Sequence, residues 1–111
     1  MNRTIKIPSL NEGKEFTIPK RKNKHRLSML EKMLELPEKL KNDIEYRNTM
    51  ESIYIVYFVL RDIFPKITVD EIKELEPEET MEITRILYNI EPKKFDELMK
   101  GNFPNLRQKK Q

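Results

Sequence analysis

The sequence predicts a mainly α protein of one domain, an N-terminal β-hairpin followed by a compact bundle of about four to five helices. Three observations carry that prediction. Apolar residues alternate with period two only within the first 18 residues. From Asn23 onward they recur at helical spacing, and Pro37, Pro65, Pro77, Pro92 and Gly101 fall at the ends of those stretches. With 111 residues, of which 37% are hydrophobic, the chain has enough apolar mass for one core. Folding at this length buries roughly two-thirds of the unfolded surface, which favours a packed core over a deep active-site cavity.

The hairpin is expected over residues 3–18. "TIKIP" alternates Ile5 and Ile7, "KEFTIP" alternates Phe16 and Ile18, and "SLNEGK" between them supplies Asn11 and Gly13 as turn residues. Two strands alone are marginal in water, so their apolar face must rest on another element. The stretch 23–36 is amphipathic, with Leu27, Met29, Leu30, Met33, Leu34 and Leu36 on one half of the helical wheel. Pro37 ends or kinks it. Residues 43–64 predict a longer helix. Its run Ile53–Leu60 has the β-propensity of a strand, but no turn signal breaks it. Tyr46, Met50, Ile53, Tyr57, Leu60 and Phe64 instead form one helical stripe. The helix is expected to pass from solvated on one side to enclosed on all sides. Thr68 and Glu71 have capping-box spacing and open a short helix over 69–75. Pro77 and acids at the positive helix end open the next, over 77–90, with Ile83, Ile86, Leu87 and Ile90 inward. Pro92 and Gly101 bound a last helix over 92–100, which closes a domain of residues 1–101. Residues 102–111 have no periodicity and read as a flexible tail.

Composition limits the chemistry. Cysteine is absent, which removes disulfides and thiolate metal ligands. No signal peptide is evident, and the Ile53–Leu60 run is far short of the ~20 apolar residues of a membrane span. The expectation is a soluble, intracellular protein. Alanine is also absent while Lys, Glu, Ile and Asn abound, a bias that follows AT-rich codons more than fold. No pattern gives the single histidine, His25, a catalytic partner, and amid five cations it reads as a surface residue. The pairs Glu71/Glu74 and Glu78/Glu79 read as helix-start acids. No Gly-rich phosphate loop occurs. The expectation is therefore no enzyme, with no catalytic, cofactor-binding or metal-ligating residues.

Two kinds of surface remain as candidates. Charge is divided: Lys20, Arg21, Lys22, Lys24 and Arg26 form a basic cluster, and Asp70, Glu71, Glu74, Glu78, Glu79 and Glu82 belong to an acidic patch. The basic cluster has the chemistry to bind phosphates or to be a solvated strand-to-helix junction. The two patches could also meet head-to-tail between copies, or neutralise each other within one chain. Apolar residues are in excess too. Ile55, Phe58 and Val59 lie off the main stripe of their helix, and Met81 and Tyr88 lie opposite the buried stripe of theirs. Each set needs cover from this chain or from a partner.

The order of these elements resembles the tail assembly chaperones of long-tailed (siphovirus-like) bacteriophages. The resemblance rests on "TIKIPSLNEGKEFTIPKRK" leading into helices, then "YIVYFVLRDIFPKITVDEIKEL", then "EETMEITRILYNI", and spans roughly Arg3 to Ile90. It implies a mostly helical, non-enzymatic protein of the host cytoplasm. Such a protein coats the tape measure protein, helps recruit tail tube subunits and leaves before the virion is complete. It further implies a longer form made by ribosomal frameshift, which would contact the tail tube protein. If Gln108-Lys109-Lys110 is encoded CAA AAA AAA, the message holds a slippery heptamer. Two alternatives stay open: a small phage or plasmid regulator that binds nucleic acid through Lys20–Arg26, and a structural phage connector. The pair of helices around "LEPEE" is unsuited to reading DNA, since Glu78, Glu79 and Glu82 would meet phosphate.

Overall fold

The computed structural model describes residues 2–91 together with Lys93, Lys94 and Glu97. The rest of the helix expected over 92–100, and the tail over 102–111, lie outside the described residues. Within them, the fold is the one the sequence predicts: a two-stranded antiparallel hairpin followed by helices.

Strand β1 (Thr4–Lys6) pairs with β2 (Glu15–Thr17), placing Ile5 opposite Phe16 and Thr4 opposite Thr17. The period-two pattern sends Ile7, Phe16 and Ile18 into the core. The connection contains a left-handed turn at Asn11, Glu12 and Gly13, with φ of 54°, 57° and 76°. Asn and Gly accept that region readily, and Asn11 also donates its amide to the carbonyl of Glu15 (3.3 Å). Glu12 has no such adaptation.

Helix α1 (Asn23–Met33) loosens into turns before Pro37, and a 3-10 turn (Glu38–Leu40) leads to α2 (Ile44–Leu60). Pro37 thus separates two helices. The Asp43 carboxylate caps α2 by accepting from the Tyr46 N–H (3.0 Å). Helix α3 (Val69–Lys73) begins at Thr68, whose hydroxyl accepts from the Glu71 N–H at 3.2 Å. The return half of that box differs from expectation, since the Glu71 carboxylate meets the Thr68 hydroxyl itself. Helix α4 (Pro77–Leu87) has the return half, the Glu79 carboxylate accepting from the Glu76 N–H at 2.8 Å. Its C-terminus is a Schellman motif. Asn89 takes φ 54°, the Ile90 N–H reaches the Arg85 carbonyl (3.0 Å), and the Asn89 N–H reaches that of Ile86 (3.1 Å).

Helix α2 is the hub. Helices α1, α3 and α4 each pack on it, and Ile55, Val56, Val59 and Leu60 are sealed among Ile72, Ile83, Ile86 and the hairpin's apolar face. The hairpin docks through Phe16, edge-on to the Phe64 ring at 5.3 Å. It is also clamped by Arg3, whose guanidinium donates to the carbonyls of Ile18 (2.9 Å), Pro19 (2.6 Å) and Ile86 (3.2 Å) and to Asn89 Oδ1 (3.1 Å). One side chain thereby joins the end of β2 to the C-terminal end of α4, where the dipole is negative.

The expected apolar half of α1 is only partly used. Met29 and Leu36 are buried and Met33 is half-buried, but Leu27 and Leu34 are 60% and 75% exposed and Leu30 is exposed as well. The reason is geometric. Helix α1 rests chiefly on α2, and one neighbour covers about a third of a helix's circumference, not half.

Candidate protein-binding surfaces

A groove of about 780 Å³ runs along the first half of α2. Its apolar lining comes from Ile44 and Ile53 on α2, Ile72 and Leu75 at α3, and Pro77 and Met81 on α4. Polar walls are supplied by Glu45, Asn48, Thr49, Ser52, Lys73, Thr80 and Thr84. The Thr49 hydroxyl donates to the Glu45 carbonyl (2.9 Å) and that of Thr84 to the Thr80 carbonyl (2.8 Å). Both donors are thus satisfied within their own helices, which lowers the polar demand of the groove. It suits an apolar ridge better than a polar ligand.

The second surface is the row of Leu27 and Leu30 on α1 and Leu34 at its C-cap. Spacing of three and four residues places them on one face, pointing away from the core. Sequence reading assigned this row to the core, so it missed the row as a surface.

The five candidate partner residues divide. Ile55 and Val59, 1% and 0% exposed, lie inside the core, so the cover they need comes from this chain and they offer nothing to a partner. Phe58 is half-buried and edge-on to Tyr57 at 4.9 Å. Met81 is half-buried on the groove wall. Tyr88 is 41% exposed, with the Arg21 guanidinium 4.0 Å from its ring centroid. The structure brings none of Ile55, Phe58 or Val59 into one surface with Met81 and Tyr88.

The charged clusters are partly consumed within the chain. Lys24 pairs with Asp62 at 3.4 Å and Arg21 lies over Tyr88, while Lys20, Lys22 and Arg26 are exposed. On the acidic side, Glu71 is engaged by the Thr68 cap and Glu82 by Arg85. Glu79 accepts from the Ser9 hydroxyl (2.9 Å) and backbone N–H (3.2 Å). Burial pushes the Glu79 carboxyl up, but hydrogen bonds from Glu76 and Ser9 outweigh it and hold the group below its ordinary value. Asp70, Glu74 and Glu78 remain exposed.

His25 corrects the sequence reading most sharply: it is 3% exposed. Its Nδ1 accepts from the Lys22 N–H (2.8 Å), filling the role an N3 glutamate has in a capping box. The ring proton therefore sits on Nε2, which donates to Asp62 Oδ2 at 2.7 Å. That hydrogen bond is the main reason the Asp62 carboxyl is held below its ordinary value. His25 is structural here, tying the start of α1 to the turn after α2.

Among the described residues no three His, Asp or Glu side chains are grouped to hold a metal, and no helix is long and apolar enough to cross a membrane. No family model, curated protein or solved structure matches the chain.

Proposed function

We propose that this protein is a non-enzymatic assembly chaperone that holds apolar helical segments of a client. Given the resemblance of its element order, the client is the phage tape measure protein, to which it helps bring tail tube subunits. The observation that carries the reading is the groove between α2 and the α3–α4 pair, open, apolar-lined and walled by polar side chains. Such a shape receives the apolar stripe of an amphipathic helix. Met81, unbranched and flexible, adapts to irregular client side chains.

Co-expression with a candidate tape measure protein tests this. The client is expected to shift from the insoluble to the soluble fraction and to co-purify with the chaperone. Met81→Glu, which sets a charge on the groove wall, should abolish that rescue while leaving the helical circular dichroism intact. An unchanged insoluble client would sink the proposal. Binding to random duplex DNA at physiological salt without any rescue would favour a nucleic-acid-binding regulator working through Lys20–Arg26.

A further inference from the structure

We infer that the groove selects its client helix by charge: it takes a helix whose apolar stripe is bordered by Lys or Arg and turns away one bordered by Asp or Glu. The inference rests on the chaperone reading, since it takes the groove as the client site, and it adds the chemical class of the segment held there.

The lining sets the frame. At ~1.5 Å rise per residue the α2 wall from Ile44 to Ile53 is about 13 Å long, room for about two turns of a client helix. The apolar lining receives the stripe, so the residues bordering that stripe meet the polar walls, and the walls decide which borders are tolerated. The Thr49 and Thr84 hydroxyls belong to those walls and have spent their protons on the Glu45 and Thr80 carbonyls. What they offer an occupant is an acceptor oxygen. An ammonium or guanidinium can use it and a carboxylate cannot.

Fixed charge points the same way. Glu45 stands on the wall, and Asp43, Glu74, Glu76 and Glu78 are exposed and adjoin the lining residues Ile44, Leu75 and Pro77 in sequence. Among the described residues none of these five carboxylates forms an ion pair. Against them the lining sets one cation, Lys73. The neighbouring arginines do not offset the acids: Arg85, next to Thr84, is paired with Glu82. Arg47, next to Asn48, lies about 160° around α2 from Glu45 at ~100° per residue. The mouth of the groove is therefore acidic on a chain whose net charge is +3. Lys and Arg on a client also suit its depth, since their aliphatic stems can lie along the apolar lining while their heads reach the carboxylates.

Fluorescence anisotropy with the full chain tests this on three synthetic helical peptides. They share a leucine stripe at i, i+3, i+4 and i+7 and carry Lys, Gln or Glu at the bordering positions. The Lys peptide should bind about tenfold tighter than the Gln peptide, and the Glu peptide should bind weakest. The differences should shrink as salt is raised toward about 1 M, where the Debye length is about 3 Å. The net positive charge of the chain favours the opposite order, so this ranking reports the groove. Glu45→Lys with Glu78→Lys should reverse it, circular dichroism confirming the fold. If that protein is not helical, Glu45→Gln with Glu78→Gln replaces it and should level the ranking. Equal binding of the three peptides, or a ranking the variant leaves unchanged, overturns the charge selection. The chaperone reading is judged separately, by whether Met81→Glu abolishes binding of the uncharged Gln peptide. If no peptide binds, both fall.

Discussion

His25 shows how one side chain can be misread and then explained. Its spacing to Met29 and Met33 is four and eight residues, the repeat of the buried face of α1, so its burial was legible in the sequence. The cationic neighbours masked that signal, and Asp62, 37 positions away, could not be paired with it without the fold. Replacing His25 by alanine empties a buried site, strands the Lys22 N–H and leaves Asp62 with Lys24 as its remaining partner. Urea denaturation should show a loss of ~2–3 kcal/mol, close to that of the double variant with Asp62→Asn. The pH dependence has a definite sign. The folded carboxyl of Asp62 lies below its ordinary value of 3.8. Its contribution is therefore complete above that value and is lost as pH falls through the lower folded one. Asp62→Asn should flatten the acid limb of a stability–pH profile without steepening it near neutrality. Glu12 offers the opposite effect. Its φ of 57° is unfavourable for a side chain with no local hydrogen bond, so Glu12→Gly should raise stability by ~0.5–1 kcal/mol in the same assay.

At the level of elements, period and punctuation located the hairpin and four helices, because caps, prolines and spacing are local signals. What they could not supply was the number of neighbours each element has. Helix α1 has an apolar half in sequence but one principal neighbour in space, and that mismatch exposes the leucine row. Helix α2 shows the reverse. Ile55 and Val59, spare on the wheel, join Val56 and Leu60 among its fully buried residues because α1, α3, α4 and the hairpin surround it. The contrast is measurable: Leu27→Gln should change stability by less than ~0.5 kcal/mol, whereas Met29→Ala, two positions on, should lower it by ~2–4 kcal/mol. The Arg3 clamp was illegible for another reason, since three of its four acceptors are backbone carbonyls, which sequence does not distinguish, and the fourth, Asn89 Oδ1, lies 86 positions away. Arg3→Ala should release the hairpin from α4 and cost about 2 kcal/mol, and Arg3→Lys should fail to restore it, because an ammonium cannot span four acceptors. Hydrogen exchange should report the change at the Ile18 N–H, which donates to the Arg3 carbonyl (2.9 Å), before it reports any in α2.

Taken whole, the molecule conceals the residues that looked most available and displays some that looked committed. The run Ile53–Leu60 furnishes the core itself, so Ile55→Ala should cost ~3 kcal/mol or more, a large part of the total stability of a domain this size, as thermal melting would show. The groove beside that run could not be read from sequence, since its lining comes from α2, α3 and α4, which only the fold brings together. The hub arrangement has a kinetic meaning as well. Helices α1, α3 and α4 lean on α2 more than on one another, so none of them has a buried face to keep until α2 is in place. Helix α2 is then expected to be the element on which folding nucleates, with the other helices joining it. Mutations on α2 should slow refolding, while those on the outer face of α1 should touch neither arm of the chevron. Detachment of α1 would uncover Met29 and break the His25–Asp62 tie, so α1 is expected to open together with α2 and not as an independent arm.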